Sequence, residues 1–487
     1  MKLLKDLIYD ARIKEIQGTT NVAVEGISID SRVIKPMSLF VAICGTQVDG
    51  HDYIKQAITN GATTVVCERT PEDFMRPESV TVVIVKNSAV ALGFIASAYY
   101  DHPSHEMKVV AVTGTNGKTT IVTLLHGLLR LLDRKTGLVG TIENRINNKI
   151  IDATHTTPDA LTLQCLFRDM VDSGCKFCFI EASSHAIVQN RLSGTTFAGA
   201  VFTNITHDHL DYHETFDKYL AAKKQLFDSL PANAFALINS DDPYFEDLVF
   251  DCKAEKTTYG VSSMADFKAR IIENQLQGLH LHLDGQDLYS RLVGGFNASN
   301  LAAVYGVSKL LGLDGLETLT QMSLLTPPPG RFELVQSPDG ITAIVDYAHT
   351  PDALDNILRT IATFRTGGER LITVVGCGGD RDVTKRPVMA RVAASGSDRV
   401  FLTSDNPRTE DPGMILADMT SGLDPIDKNK CISITDRREA IRAAAAFAEA
   451  GDIVVVAGKG HETYQEINGV RQDFDDRKVL MEAFIPA

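Results

Sequence analysis

A chain of 487 residues carrying 62 acidic and 48 basic side chains, net charge −14, is long enough for two to four domains with large cores. The acidic balance excludes nucleic acid as the expected partner, since no basic excess exists to neutralise phosphates. No apolar run approaches the ~20 residues that span a bilayer, residues 1–16 mix charge into every turn and form no signal-peptide core, and eight scattered cysteines read as reduced thiols of a cytoplasmic protein.

In chain order, three blocks are predicted, and the fold class is α/β throughout. Residues 1–106 hold strands at 38–43, 63–67 and 80–85, a helical stretch at 53–60, and a helix over 89–100 that Tyr100-Asp-His-Pro103 ends. Residues 107–333 read as strand 109–112, helix 119–132, a polar loop at 144–159, helix 160–173, strands 177–181 and 199–203, helix 215–230 and strand 235–238. That alternation predicts a mostly parallel sheet with helices on both faces. Thr326-Pro-Pro-Pro-Gly330 ends the block. Residues 334–487 alternate again, with strands at 342–345, 371–375, 399–402 and 453–456 and helices at 352–364, 386–395 and 438–450. They predict a third, Rossmann-like α/β domain with its own sheet. Cys175-Lys-Phe-Cys178 has CxxC spacing, but no second pair completes a zinc site, so packing is its expected role.

The strongest motif is Gly114-Thr-Asn-Gly-Lys-Thr-Thr120, set between the apolar run Val109-Val-Ala-Val112 and a helical pattern. Strand, glycine turn and helix start make a phosphate-binding loop. Backbone N–H groups of Gly114, Thr115, Asn116, Gly117 and Thr120 can surround a polyphosphate, Lys118 can reach the outer phosphates, and the Thr119 hydroxyl can ligate Mg²⁺. Val112 stands where the longer consensus has its first glycine, so the loop is a shortened one. Strand 177–181 ends in Glu181, and ligands of parallel sheets gather beyond the carboxyl ends of strands, which places this carboxylate to hold Mg²⁺. Thr203-Asn-Ile-Thr-His-Asp-His-Leu-Asp211 crowds four His or Asp side chains into the five residues 207–211, a density that suits a second Mg²⁺ or a carboxylate-orienting cluster. Lys223 and Lys224 follow on one helix, about 100° apart, so only one can face the site. Gly294-Gly-Phe-Asn-Ala-Ser-Asn300 offers an apolar-aromatic element with Asn donors for a purine, Arg331 sits past the proline hinge, and Asp346 and His349 lie at a strand end.

Taken together, Gly114–Thr120, Glu181-Ala-Ser-Ser-His185, Thr203–Asp211, Gly294–Asn300, Gly330-Arg331 and Asp346-Tyr-Ala-His-Thr-Pro351 resemble the Mur ligase family, with the motifs in family order over most of the chain. The resemblance implies an N-terminal UDP-sugar-binding domain, a central ATP-binding domain and a C-terminal amino-acid-binding domain. It implies a cytoplasmic, monomeric ATP-dependent ligase that adds meso-diaminopimelate to UDP-MurNAc-L-Ala-D-Glu through an acyl phosphate, with two Mg²⁺. By the same resemblance, Gly114–Thr120, Asn297, Asn300, Arg331, Asp346 and His349 bind ATP, while Lys118, Glu181, His209 and Lys223 are catalytic. Lys223 carries a CO₂-derived carbamate and ligates metal beside Thr119, Glu181 and His209.

The family also assigns the substrates. Ile29, Ser31, Thr46, Gln47, Val48, His155, Thr156, Thr157, Ser183, Gln189 and Arg191 match positions for the UDP-MurNAc-dipeptide. Arg381, Asp405, Asn406, Pro407, Arg408, Gly458 and Glu462 match positions for diaminopimelate. The chemistry agrees: the Arg408 fork suits the distal carboxylate, which lysine lacks, and Glu462 suits the distal ammonium. Lys224 stands where many relatives have an aromatic residue and His155 where some have Asn. A folate-type sibling is disfavoured by Asp30-Ser31-Arg32, a lysine-adding sibling by Asp405–Arg408, and a nucleotide-switched binding protein by the retained Glu181, His209 and Lys223.

Overall fold

The computed structural model describes residues 1–45 and 48–485 of the chain, so the expected substrate contacts Thr46 and Gln47 lie outside the described residues. Three main sheets follow one another along the sequence. The first has the order Ile13–Gln17, Thr81–Val85, Ala62–Cys67, Ser38–Val41, Gly26–Ser28, parallel except for the first strand.

The central sheet has eleven strands. Its middle is parallel, in the order Thr136–Val139, Phe177–Glu181, Lys108–Thr113, Gly199–Phe202, Phe235–Asn239, Glu255–Gly260. The period-two rule of strands explains its two-sided burial. Val110 and Val112 pack with Ile121, Leu125 and Leu128 of helix Lys118–Leu131. Val109 and Ala111 face the other way, toward Leu163 and Phe167 of helix Ala160–Asp172. Asp159 caps that helix by accepting from Leu161 N and Thr162 N, and Thr215 caps helix Phe216–Asp228 by accepting from Lys218 N.

Both ends of this sheet differ from the expectation of parallel strands and a loop. Residues 144–159 are not wholly a loop: Glu143–Ile146 and Lys149–Asp152 form an antiparallel hairpin that adds two strands. Every second residue of the first, Asn144 and Ile146, is buried, which is a strand signal that its polar composition hides. At the opposite edge Phe267–Gln275, Gly278–Leu283 and Gln286–Ser290 form an antiparallel meander. Helix Gly295–Leu310 packs on it, so the apolar-aromatic stretch Gly294–Asn300 opens a helix.

The third sheet has the order Glu333–Gln336, Thr342–Asp346, Ile453–Ala457, Leu371–Cys377, Arg399–Ser404, Cys431–Ser433, parallel beyond the first strand. Cys175 and Cys178 lie in the core, where burial pushes both thiols up, in keeping with packing. Among the described residues no helix is long and apolar enough to cross a membrane.

Candidate active site

The phosphate loop is short because Val112 is a strand residue. It pairs with Glu181 in the parallel ladder and its carbonyl accepts from Ala182 N at 2.9 Å, so the turn begins only after Thr113. Glycine is required at both turn positions. A Cβ on Gly114 (φ 149°) would lie 1.8 Å from Thr203 Oγ1, and one on Gly117 (φ 90°) would lie 2.7 Å from Asn300 Oδ1. Asn204 holds the loop from the neighbouring strand end by accepting from Asn116 N at 2.9 Å.

The same register places Glu181 beside the loop. This carboxylate is fully buried. Thr119 Oγ1 donates to its Oε2 at 2.9 Å, Thr141 N to its Oε1 at 2.7 Å, and Thr141 Oγ1 to Oε2 at 3.1 Å. Arg331 Nη2 donates to Thr119 Oγ1 at 3.1 Å, bringing the hinge arginine onto the loop. Thr141 had no sequence signal, because it follows a strand end without any motif.

Two lysines meet at one carbonyl. Lys118 Nζ donates to Gly114 O and Thr115 O, both at 2.8 Å, and Lys223 Nζ donates to the same Gly114 O at 2.8 Å. Lys223 is 1 % exposed and lies 4.4 Å from the centre of the Tyr219 ring. Burial, then the neighbouring Lys118, pushes the Lys223 ammonium well below the usual lysine range, against the pull of Asp208. Burial also lowers Lys118, which Glu181 and Asp208 oppose. Lys224 points away, onto Asp228 and Asp251 at the surface.

The segment 207–211 does not close into a metal cage. His207 is exposed, Asp208 Oδ1 accepts from His209 N, and no group of three or more His, Cys, Asp or Glu side chains able to hold a metal occurs among the described residues. His209 sits at φ 55°, edge-on to His185 at 5.0 Å between ring centres. Burial pushes its imidazole down to about 3 despite Asp208, so its ring is a neutral donor of the kind metals take. Burial works to raise the Asp208 carboxyl, but His209, His349 and Lys385 outweigh it and hold it low. His349 and Lys385 belong to the third sheet's segments, so groups from both sides of the cleft face this carboxylate.

Between the loop and the third sheet lies a cleft of about 620 Å³, lined among others by Asn116, Gly117, Asn297, Asn300, Arg331, Asp346 and His349. Eight of the twelve residues expected to bind ATP line this cleft; Gly114, Thr115, Lys118 and Thr119 are not among its lining residues. Asn116 Nδ2 bridges it by donating to Asp352 Oδ2 at 3.1 Å. Each of the two amides expected near the purine uses one N–H internally: Asn297 Nδ2 donates to Val293 O, and Asn300 Nδ2 to Asn297 Oδ1. Burial raises Asp346 to about 6 against Arg331 and the N–H groups of Phe332 and Ala348. Arg331 lies 4.6 Å from the centre of the Tyr347 ring.

The residues expected to bind the dipeptide form a second group. Thr157 Oγ1 donates to Glu181 O at 2.6 Å and contacts Ser183 Oγ; Thr156 Oγ1 lies 3.1 Å from Thr141 Oγ1. Arg191 donates to Thr157 O at 2.7 Å and to Gln189 Oε1. His155 is exposed and touches Thr154. Ile29 and Val48 are exposed on the first domain, and Ser31 is buried there, donating to Gln56 Oε1 at 2.9 Å. No hydrogen bond among the described residues joins Ile29, Ser31 or Val48 to the second group.

The residues expected to bind diaminopimelate form a third group. Arg408 is left-handed at φ 50°, held by Arg408 N to Glu466 O and Asn468 N to Arg408 O, and its Nη1 donates to Gly379 O at 2.6 Å. The rest of its fork makes no hydrogen bond among the described residues. Arg381 is exposed, and Asp405, Asn406 and Pro407 are buried, with Gly458 (φ 118°) beside Asp405. Glu462 is bonded within the protein through one of its two oxygens. Its Oε2 already accepts from Asn406 Nδ2 at 2.8 Å and from Lys459 Nζ at 3.1 Å.

Comparison with known proteins gives one answer over the whole chain. Residues 23–100 match the Mur ligase family catalytic domain, 112–308 the Mur ligase middle domain, and 330–460 the Mur ligase glutamate ligase domain. The chain is 53 % identical over 98 % of its length to the UDP-N-acetylmuramoyl-L-alanyl-D-glutamate–2,6-diaminopimelate ligase of Cytophaga hutchinsonii, covering 98 % of that protein. It is 48 % identical over 99 % of its length to the protein of the same name in Bacteroides thetaiotaomicron, covering all of it. A solved structure of a ligase of that name superimposes with a TM-score of 0.69 at 35 % identity, over 99 % of this chain and 98 % of the other.

Proposed function

The chain belongs to the Mur ligase family, and on that premise we propose that ATP occupies the cleft between the phosphate loop and the third sheet, with Lys118, Glu181, His209 and Lys223 serving phosphoryl transfer. The protein is an ATP-dependent ligase that adds diaminopimelate to UDP-N-acetylmuramoyl-L-alanyl-D-glutamate in peptidoglycan synthesis. The observation that carries the residue assignment is the convergence of Lys118, Lys223 and Thr119 with the buried Glu181 on one seven-residue turn.

The substrate carboxylate attacks the γ-phosphorus, the bond to ADP breaks, and an acyl phosphate forms. The diaminopimelate amine then attacks the acyl carbon, phosphate leaves and the amine gives up a proton. The work asked of the protein is positioning and charge compensation. Lys118 exchanges Gly114 O and Thr115 O for phosphate oxygens. Arg331, already on Thr119, adds a second cation from across the cleft. Thr156, Thr157, Ser183, Gln189 and Arg191 orient the dipeptide carboxylate beside Glu181.

The donor set fits Mg²⁺: buried carboxylate oxygen, hydroxyl and neutral imidazole, too few for a protein-only cage, as suits an ion shared with phosphates. Thr119, Glu181, His209 and modified Lys223 would hold it, and it supplies Lewis-acid stabilisation of phosphoryl oxygens. Lys223 is suited to react with CO₂, because burial and the neighbouring Lys118 disfavour its ammonium form and the free amine is the nucleophile. The amine nitrogen bonds to carbon, a proton leaves, and the product is an anionic carbamate that attracts Lys118. ATP and the UDP-linked acceptor are cytoplasmic metabolites, so the enzyme works in the cytoplasm, and the expected binding residues of all three substrates lie on one chain, in keeping with a monomer.

The test is phosphate release from ATP in the presence of UDP-MurNAc-L-Ala-D-Glu, with diaminopimelate, with lysine, or with neither. Release is expected only with diaminopimelate. In Arg408→Lys the KM for diaminopimelate should rise about tenfold or more, since a point charge replaces a bidentate fork, with melting temperature unchanged. An unchanged KM would remove that role from Arg408.

A further inference from the structure

Lys459 is fully buried in the loop after strand Ile453–Ala457, a place where lysine is rare unless paired. Its Nζ contacts Asn406 Oδ1 at 2.9 Å, Glu462 Oε2 at 3.1 Å and Asp405 Oδ1 at 3.2 Å. Asn406 Nδ2 occupies the same Glu462 oxygen. No hydrogen bond among the described residues reaches Glu462 Oε1. We infer that Lys459 is a positioning residue for the amino-acid substrate: it pins Glu462 by Oε2, leaves Oε1 for the distal ammonium of a diamino acid, and so sets the preference for a substrate carrying that ammonium. This rests on the reading of Asp405–Arg408 and Glu462 as the amino-acid site.

The surrounding charges support the role. Burial and the neighbouring Asp405 both push the Glu462 carboxyl up, and Lys459 and Asn406 oppose them. Asp405 is held low although burial works to raise it, chiefly by Lys459 and then Arg437. The other groups facing the cluster are Tyr347, His349, His461 and Tyr464. Burial pushes His349 down to about 4 and His461 to about 3, so both rings are neutral. Arg437 is committed to Asp476 at 2.7 Å and to Ala457 O at 3.0 Å, and it makes no hydrogen bond to Glu462. Lys459 is therefore the cation bonded to this carboxylate. Without it, Glu462 is free to turn and protonates more readily, and a neutral acid cannot balance an ammonium.

The experiment measures kcat and KM for diaminopimelate and for 2-aminopimelate, which keeps both carboxylates and one amine, using the full chain with ATP and Mg²⁺. Wild type should prefer diaminopimelate by about tenfold or more in kcat/KM. Lys459→Met should lose most of that preference through the KM for diaminopimelate, with the KM for ATP unchanged, and regain part of it as pH is raised and Glu462 ionises. Glu462→Gln combined with Lys459→Met should be no worse than Glu462→Gln alone. Lys459→Gln, which keeps hydrogen-bonding capacity without charge, serves if the Met variant melts below assay temperature. Preference retained in the Lys459 variants, or losses that simply add in the double variant, would overturn the inference alone. A wild-type enzyme that uses both substrates equally would overturn the assignment of Glu462 and the inference with it.

Discussion

Lys118→Ala is expected to lower turnover by about 10³-fold or more, because one preorganised cation on a transferring phosphoryl group is worth that much. The protein should still fold. Lys118 is bonded only to Gly114 O and Thr115 O of its own loop, and Gly114 O keeps its bond from Lys223. The loop shape itself rests on Gly114, Gly117, Asn204 and Thr203. The loss should therefore fall on kcat, with the melting temperature close to wild type and the UDP-linked substrate still bound in equilibrium titration. Near-normal phosphate release from this variant would sink the placement of ATP on the loop.

Lys223→Ala is expected to cost about 10²-fold or more, and the pattern of its rescue is more telling than its size. An anionic carbamate supplies oxygen to a metal, so removing the side chain removes a ligand and leaves a buried space beside Gly114. Added acetate or propionate should enter and restore part of the activity. Wild type should also lose activity when CO₂ is stripped and recover with bicarbonate. No loss in the variant would remove the carbamate. Loss without return would leave Lys223 acting through its amine.

These two lysines also mark how far the residues alone could be read. The spacing of Gly114–Lys118 placed one of them on a helix start facing phosphate. For the pair Lys223–Lys224, spacing said only that one could face inward. Resemblance pointed to Lys223, and the fold puts it 1 % exposed on Gly114 O while Lys224 pairs at the surface with Asp228 and Asp251. The amine's low affinity for protons has no sequence signal, since it comes from burial and from Lys118, 105 positions away in the chain.

The sequence by itself determined the α/β alternation, the shortened phosphate loop, the strand-end Glu181 and the family. These are local: strand and helix are written in side-chain periods of two and 3.6, and a turn in the few residues that tolerate its dihedral angles. Only the tertiary structure decided that Glu143–Asp152 is a hairpin, that Thr141 clamps Glu181, that Asn116 reaches Asp352 across the cleft, and that Lys459 takes one oxygen of Glu462. Each of those depends on which distant segment supplies the partner and excludes the water. Hydrogen-bond partners and proton affinities belong to the assembled site, whereas the elements that carry them belong to their own short stretches of chain.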